Sequence, residues 1–569
     1  MGVKYFFSFI KSRFPESITR VNAQLENVDN LMIDLNGIFH TCAQKVYGVN
    51  HIQYYLTYKP RLPTLKQQLE TFNKIWTMIW DIVQLAPPKK RLILCIDGVA
   101  PFAKQTQQRQ RRFRAVKDKV KGEWDSNCIT PGTQFMNHLS KFIDFKIREL
   151  MTVDDKWRHL EIIFSNEKCP QEGEHKIIKW VRSQPDCGES YCLHGMDADL
   201  VMLGLSTGKS KFSILRQNHL NPKEHFHIDL DSLTINLVEM LKSTGNSDKS
   251  TLVRDFVFML FTVGNDFLPH LPAIEILEGG IDILVESYRL NSEKYGSLTE
   301  IQDSKVVFRK KSFKEFLQVL GSYEQDILNK KCNHFIGYID PILEDCKKSK
   351  PVGTIEGIQV GTELYKVDFD KYKSIFYSSK LKIKNQADLR NICLSYIEGL
   401  QWVLDYYTTG ITSWKWYYPH YYTVFSSDLA SFIDEYQTVV YPPTSPLTPF
   451  EQLLCVLPPF SGNILPFPLN TLLEEKSPVK QYYPTYFEID LEGKRNDWEG
   501  IAILPFIDLA NIQNRYRNLL DKISPGFLKR NITGKTYMYK WNPNSDPEIH
   551  KSFYGNLSTQ VETVFVDFC

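Results

Sequence analysis

The chain has 569 residues, 43% hydrophobic and 24% charged, an ordinary globular balance at a length beyond one core, so two or more domains are expected. A net charge of +2 excludes a global field for a polyanion, and any nucleic-acid surface must therefore be local. Eleven scattered cysteines without paired CxxC and HxxxH spacing exclude a zinc module and read as reduced, cytosolic thiols.

The N-terminal MGVKYFFSFIKSRF is too short and too interrupted for a signal peptide or membrane span, and Phe6 breaks the myristoylation pattern. Short apolar runs then alternate with helical periodicity. LMID (31–34), LILCID (92–97), LEIIFS (160–165), YCLH (191–194) and FSILR (212–216) read as buried strands. Residues 64–85, 133–149 and 173–183 read as helices between them. The alternation predicts an α/β domain over 1–304, with a mainly parallel central sheet flanked by helices. From 305 to 385 the pattern weakens into Lys-rich stretches, which predicts a connecting or peripheral region. Residues 386–569 are dense in aromatics and proline. They read as a second, largely helical region packed against the first.

Acids sit at the edges of the apolar runs. Asp34 and Asp97 end their strands, and Asp197 and Asp199 follow theirs closely in HGMDADLVMLGL. Glu172 and Glu174 lie in PQEGEHKI, and Asp266 in GNDFLPH. In open α/β sheets, ligand sites form at the carboxyl ends of strands. One acid there is ordinarily a helix cap or a loop hydrogen bond. Seven such acids next to glycines and buried flanks would need seven coincidences. Like charges brought together raise one another's pKa and call for counter-cations. The DxD and ExE pairs suit metal ligation, because alternate residues of an extended or turn segment can point at one ion. Oxygen-only ligands suit Mg²⁺ or Mn²⁺, and two such ions support phosphodiester hydrolysis.

AKQTQQRQRRFRAVKDKVKG (103–122) follows Asp97 directly. As a helix it brings Lys104, Gln108, Arg111 and Arg112 within about one face, at roughly 100° per residue. Such donors suit a phosphate. Charge runs are more often solvated faces; beside a candidate metal acid, phosphate binding is the better reading. His40, six residues beyond Asp34, is a candidate for stacking on a base, as are Trp414, Trp416 and Trp498, although tryptophans are more often core.

These residues lie in segments that resemble, in order, the Xrn family of 5′→3′ exoribonucleases. The segments are MGVKYFFSFIKSRFP, LMIDLNGIFHTC, IDGVAPFAKQTQQRQRRFR, DSNCITPGTQFM, EGEHKI, MDADLVMLGL, VGNDFLPHLP, SWKWYYPHYY, PFEQLLCVLP and WEGIAILPFID. The resemblance implies a processive, two-metal (Mg²⁺ or Mn²⁺) enzyme with a PIN/FEN-like nuclease core. It would release mononucleotides from single-stranded RNA bearing a 5′-monophosphate. It assigns catalytic metal ligation to Asp34, Asp97, Glu172, Glu174, Asp197, Asp199 and Asp266. It assigns the 5′-phosphate pocket to Lys104, Gln108, Arg111 and Arg112, and base stacking to His40 and Trp498. A cytoplasmic monomer is expected, with the 386–569 region forming part of the substrate channel. Two positions depart from the pattern: Gln171 and Gln110 stand where many members have glycine. The chain also ends soon after the second region, without the long C-terminal extension of the large members, so either a compact member or a truncated chain is expected. The competing readings are a structure-specific flap or PIN-like DNA nuclease and a catalytically inactive RNA-binding scaffold.

Overall fold

The computed structural model describes residues 3, 5–47, 62–117, 124–218, 221–242, 248–334, 336–348 and 365–567. Residues 118–122 of the basic stretch therefore lie outside the described residues, as do 349–364 of the Lys-rich region. A nine-stranded sheet forms the centre. Its first seven strands are β1 (Ile18–Val21), β2 (Asn30–Asp34), β3 (Arg91–Cys95), β4 (Glu161–Ser165), β5 (Tyr191–His194), β6 (Phe212–Gln217) and β7 (His225–Asp229). The last two, β8 (Thr536–Trp541) and β9 (Val561–Val566), come from the end of the chain. The spatial order is β1-β7-β6-β5-β2-β3-β4-β8-β9. The centre, β6-β5-β2-β3-β4, is parallel. Both edges are antiparallel.

All five strands expected from the apolar runs are present. β3 stops at Cys95, however, so Asp97 lies two residues past its strand and not at its end. The helices that matter for the site are α1 (Asn36–Tyr47), α2 (Leu65–Leu85), α3 (Phe102–Lys117), α4 (Gln134–Val153), α5 (Gly173–Ser183), α6 (Leu200–Ser206), α7 (Lys249–Leu260), α8 (Lys310–Ser322) and α9 (Gln386–Thr408). Local signals set several starts. Thr64 and Gln67 form a reciprocal capping box on α2, and Thr133 caps α4.

Strand alternation splits the core across the two sheet faces. Met32, Ile93 and Leu193 pack into one apolar cluster, and Leu31, Ile33, Leu92 and Leu94 into the other. The second region serves both. Tyr396, Trp402 and Tyr406 of α9 join the first cluster, while Phe450, Leu453 and Tyr516 join the second. With β8 and β9 extending one edge of the sheet, this region shares both apolar clusters with the α/β core. Within 305–385, one helix is part of the core. α8 buries Phe313, Phe316, Leu317 and Leu320 in the first cluster, because its apolar positions recur at helical spacing.

Nine of the described cysteines are free. Among the described residues, no helix is long and apolar enough to cross a membrane.

Candidate active site

β5, β2 and β3 are parallel neighbours, so the segments leaving their carboxyl ends emerge side by side. Asp34 is the last residue of β2, Asp97 follows β3, and Asp197 and Asp199 follow β5. The ExE segment reaches the same place by a different route. Backbone bonds stitch the loop after Asp97 to the loop before Glu172: Gly98 N donates to Gln171 O (2.8 Å) and Gln171 N to Val99 O (2.9 Å). A Cβ on Gly98 would lie 1.7 Å from Cys169 O, so only glycine permits this approach. Gly173 is similarly confined: its Cβ would lie 2.6 Å from Asp34 Oδ1, and its N–H donates to Asp97 Oδ1 (2.7 Å). Asn36 accepts from the Asp97 N–H (3.0 Å) and steadies that turn.

Glu172 and Glu174 do not sit in an extended segment as their spacing suggested. Glu172 occupies the N-cap of α5 and Glu174 its first turn. They converge because the cap residue leaves the helical path. Ligand atoms of Asp34, Asp97 and Glu174 lie within 4.8 Å of one another, as do those of Glu172, Glu174 and His175. Asp266 arrives from the loop after α7. There Asn265 folds its side chain back to accept from the N–H groups of Phe267 and Leu268 (both 2.9 Å). Gly264, at φ 87°, makes the turn into it.

Burial first, and then Asp97 and Asp197, raise the Asp34 carboxyl well above the usual range. Burial and Glu172 do the same to Glu174. Burial and Asp197 push Asp199 up to about 7. Asp266 goes the other way. Burial opposes its ionisation, but Lys104 Nζ, 2.6 Å from Asp266 Oδ2, prevails and holds it low. Lys104 also pairs with Glu172. Asp34, Asp97, Glu172 and Glu174 thus meet in two overlapping groups, Lys104 links Glu172 to Asp266, and Asp197 acts electrostatically on Asp34 and Asp199.

The donor set fits divalent cations. It is rich in carboxylate oxygen, and among the described residues Asp34 Oδ1 and Asp199 Oδ1 are buried without a hydrogen-bond partner. Placing such oxygens among like charges is unfavourable unless cations bind there.

The predicted phosphate pocket is less closed. Lys104, Gln108 and Arg112 of α3 are buried, and Arg111 is exposed. Lys104 contacts carboxylates. Gln108 Oε1 has no partner, and Arg112 donates to Thr130 Oγ1 (2.7 Å) and Asn127 Oδ1 (3.3 Å). Arg109, on the other side of the helix, donates to Tyr482 O and lies over the Phe113 ring. His40, on α1, is half-buried. Burial and the charges of Arg111 and Arg112 lower it to about 4, so its ring is neutral. That pattern sets His40 beside the basic helix, and Asp197 also acts on it. Of the three candidate tryptophans, Trp416 is core, stacked on Trp402 at 4.7 Å. Trp414 is half-buried, and Trp498 is 53% exposed beside Tyr5.

Sequence reasoning missed several participants. His175 follows Glu174 directly and was legible as a neighbour within the EGEHKI motif. Tyr406, which donates to Glu172 Oε2 (2.9 Å), and Tyr407, 3.5 Å from Asp199 Oδ2, lie more than 200 positions away and carried no spacing signal. Asn127 and Thr130, which hold Arg112, belong to the DSNCITPGT segment, whose role was unassigned.

Residues 1–218 match the family profile described as XRN 5'-3' exonuclease N-terminus. Residues 246–335 and 362–567 match the profile described as Xrn1 helical domain. The 5'-3' exoribonuclease 1 of Saccharomyces cerevisiae is 29% identical, over 99% of this chain and 46% of its own length. The human 5'-3' exoribonuclease 1 is 32% identical, over 89% of this chain and 33% of its own. The Drosophila melanogaster 5'-3' exoribonuclease 2 homolog is 30% identical, over 95% and 73% respectively. The chain therefore spans less than half the length of the first two relatives. A solved structure of the catalytic core of Rad2 with DNA aligns at 13% identity over 57% of this chain and 76% of its own, with a TM-score of 0.31.

Proposed function

This chain belongs to the Xrn family of 5'-3' exonucleases, and on that premise we propose that it is a processive 5′→3′ exoribonuclease acting on single-stranded RNA with a 5′-monophosphate. The observation that carries the reading is the meeting of Asp34, Asp97, Glu172 and Glu174 in two overlapping ligand groups, with Lys104 of the basic helix reaching Glu172 and Asp266. Asp34, Asp97, Glu172, Glu174, Asp197, Asp199 and Asp266 would hold two Mg²⁺ or Mn²⁺ ions, which when bound supply Lewis-acid polarisation of the scissile phosphate and charge for the leaving oxygen.

The chain's own residues do the rest. Lys104, Gln108, Arg111 and Arg112 bind the terminal phosphate beside the acids. Arg112 is prepositioned for this by Thr130 and Asn127. A phosphate held one nucleotide from the hydrolytic centre makes the enzyme count from a 5′ end. The neutral ring of His40 stacks on a base, with Trp498 as the second platform. We place the enzyme in the cytoplasm as a monomer.

The deciding experiment uses end-labelled RNA with a 5′-monophosphate, 5′-triphosphate or 5′-hydroxyl, together with a DNA flap, in Mg²⁺ or EDTA. Mononucleotide release from the monophosphorylated RNA alone, abolished by EDTA, is the expected result. Flap incision without RNA decay would replace this reading with that of a DNA nuclease. Binding of RNA with no cleavage at all would replace it with that of a scaffold.

A further inference from the structure

We propose that the paired tyrosines at the end of α9, Tyr406 and Tyr407, are positioning residues that orient Glu172 and Asp199 for cation binding, so that the second region completes the acid site. The inference rests on the proposed hydrolytic reading of that site.

Adjacent residues on a helix point about 100° apart and ordinarily serve different surroundings. Here both serve the acids, because the end of α9 is wedged between the ExE and DxD segments. The Tyr406 hydroxyl donates to Glu172 Oε2 (2.9 Å), and the Tyr407 hydroxyl reaches Asp199 Oδ2 at 3.5 Å. Both rings are buried at 1% exposure. Each hydroxyl engages one oxygen of its carboxylate. The other oxygen of Glu172 faces Lys104, and that of Asp199, Oδ1, has no hydrogen-bond partner among the described residues. A carboxylate restrained at one oxygen presents the other in a fixed direction, whereas one surrounded only by like charges turns away.

The wedge is itself anchored. The Tyr407 carbonyl accepts from Ser206 Oγ of α6 (2.9 Å) and from Arg182 of α5, and Arg182 also donates to Ser206 Oγ (2.8 Å). α5 carries Glu174 and His175, and α6 follows Asp199. The Tyr406 ring stacks on His175 (3.7 Å between centroids, 15° between planes) and meets Phe267, the neighbour of Asp266, edge-on at 5.3 Å. One helix end thus touches the EGEH, DAD and NDF segments together. A capping or packing role alone would not require both hydroxyls to face ligand-type carboxylates.

The test compares Tyr406→Phe and Tyr407→Phe with Tyr288→Phe. The last removes an equivalent buried hydroxyl that donates to Asp255 (2.8 Å), away from the acid cluster. Mn²⁺ affinity is measured calorimetrically on RNA-free protein, and RNA decay is followed across a Mn²⁺ titration. Tyr406→Phe should weaken Mn²⁺ binding about 10-fold, the scale of losing a ligand's hydrogen-bond partner. Saturating Mn²⁺ should recover its rate. Tyr407→Phe should show a smaller loss, matching its longer contact, and Tyr288→Phe should lose melting temperature without losing Mn²⁺ affinity. Unchanged Mn²⁺ affinity in Tyr406→Phe, or an equal loss in Tyr288→Phe, overturns the inference while leaving the nuclease reading intact. A wild-type protein that neither binds Mn²⁺ nor degrades monophosphorylated RNA overturns the nuclease reading itself.

Discussion

The acid floor of the site and the basic helix beside it are constructed differently. Asp34, Asp97, Asp197 and Asp199 are short side chains delivered by three adjacent parallel strands. The main chain determines where they point, with Gly98 and Gly173 removing the bulk that would separate the loops. Lys104, Gln108, Arg111 and Arg112 are long side chains on one helix, and their ends go where local partners draw them. Lys104 is drawn to Glu172 and Asp266, Arg112 to Thr130 and Asn127, and Arg111 to solvent. Short carboxylates on a rigid frame are preorganised. A pocket of long donors takes its final form around the phosphate it binds.

The sharpest test of that contrast is at the floor. Asp197→Asn and Glu172→Gln each preserve shape and remove a charge. Either should lower the rate of RNA decay by about 10²–10³-fold, the scale of losing one preorganised electrostatic element, with RNA affinity largely intact. Gel-shift and decay assays on the same preparations separate the two. Unchanged rates would end the assignment of those carboxylates to cation binding.

The basic helix should respond selectively. Arg111→Ala removes an exposed donor with no structural duty in the free protein. The preference for 5′-monophosphate over 5′-hydroxyl RNA should fall about 10-fold, as expected for one charge-assisted hydrogen bond. Melting temperature should stay unchanged. An equal loss on both RNA ends would instead make the helix a general backbone-binding surface.

The crowding of the floor also predicts a pH effect. The folded-state pKa of Asp199, at about 7, lies above the ordinary carboxylate value near ~4. A raised folded pKa gives stability that is present below the unfolded value and lost as pH rises through the folded one. Asp34 and Glu174 shift in the same direction. In EDTA, melting temperature should therefore fall as pH rises from about 4 to about 7. Divalent cations bind the ionised form, so the gap between Mg²⁺ and EDTA melts should widen by several degrees over that window. A gap independent of pH would mean that the cluster does not hold the cations.

The same division explains what was legible beforehand. Strand ends, glycines and acids are local signals, and they located β2 to β6 and the four carboxylates that meet, Asp34, Asp97, Glu172 and Glu174. The antiparallel edge made by β8 and β9 was not legible, because pairing between Tyr537 and Phe164 joins positions far apart in the chain. The tyrosines of α9 were hidden for the same reason: nothing in LDYYTTG announces that its hydroxyls face Glu172 and Asp199. Residues 305–385 looked peripheral because Lys-rich surface positions masked the buried face of α8. Trp498 was singled out by its WEG context, and its exposure separates it from buried Trp416, though not from every other exposed aromatic ring.

The smallest effect expected is at Gln171, where sequence and backbone disagree. Gln171 has φ 89°, in the left-handed region that glycine adopts freely and a residue with a Cβ does not. It is held there by its paired backbone bonds to Gly98 and Val99, which bring the Asp97 and Glu172 loops together. The two backbone bonds thus hold a residue with a Cβ in a conformation that strains it. Gln171→Gly relieves a strain of about 1–3 kcal/mol and loses about 0.5–1 kcal/mol to greater freedom of the unfolded chain. The net gain should be about 1 kcal/mol, read as a higher denaturant midpoint at unchanged slope. Cation affinity and decay rate should not change, because Gly98 and Val99 bond only to the backbone of residue 171. A loss of stability would show that the Gln171 side chain contributes more than its backbone strain costs.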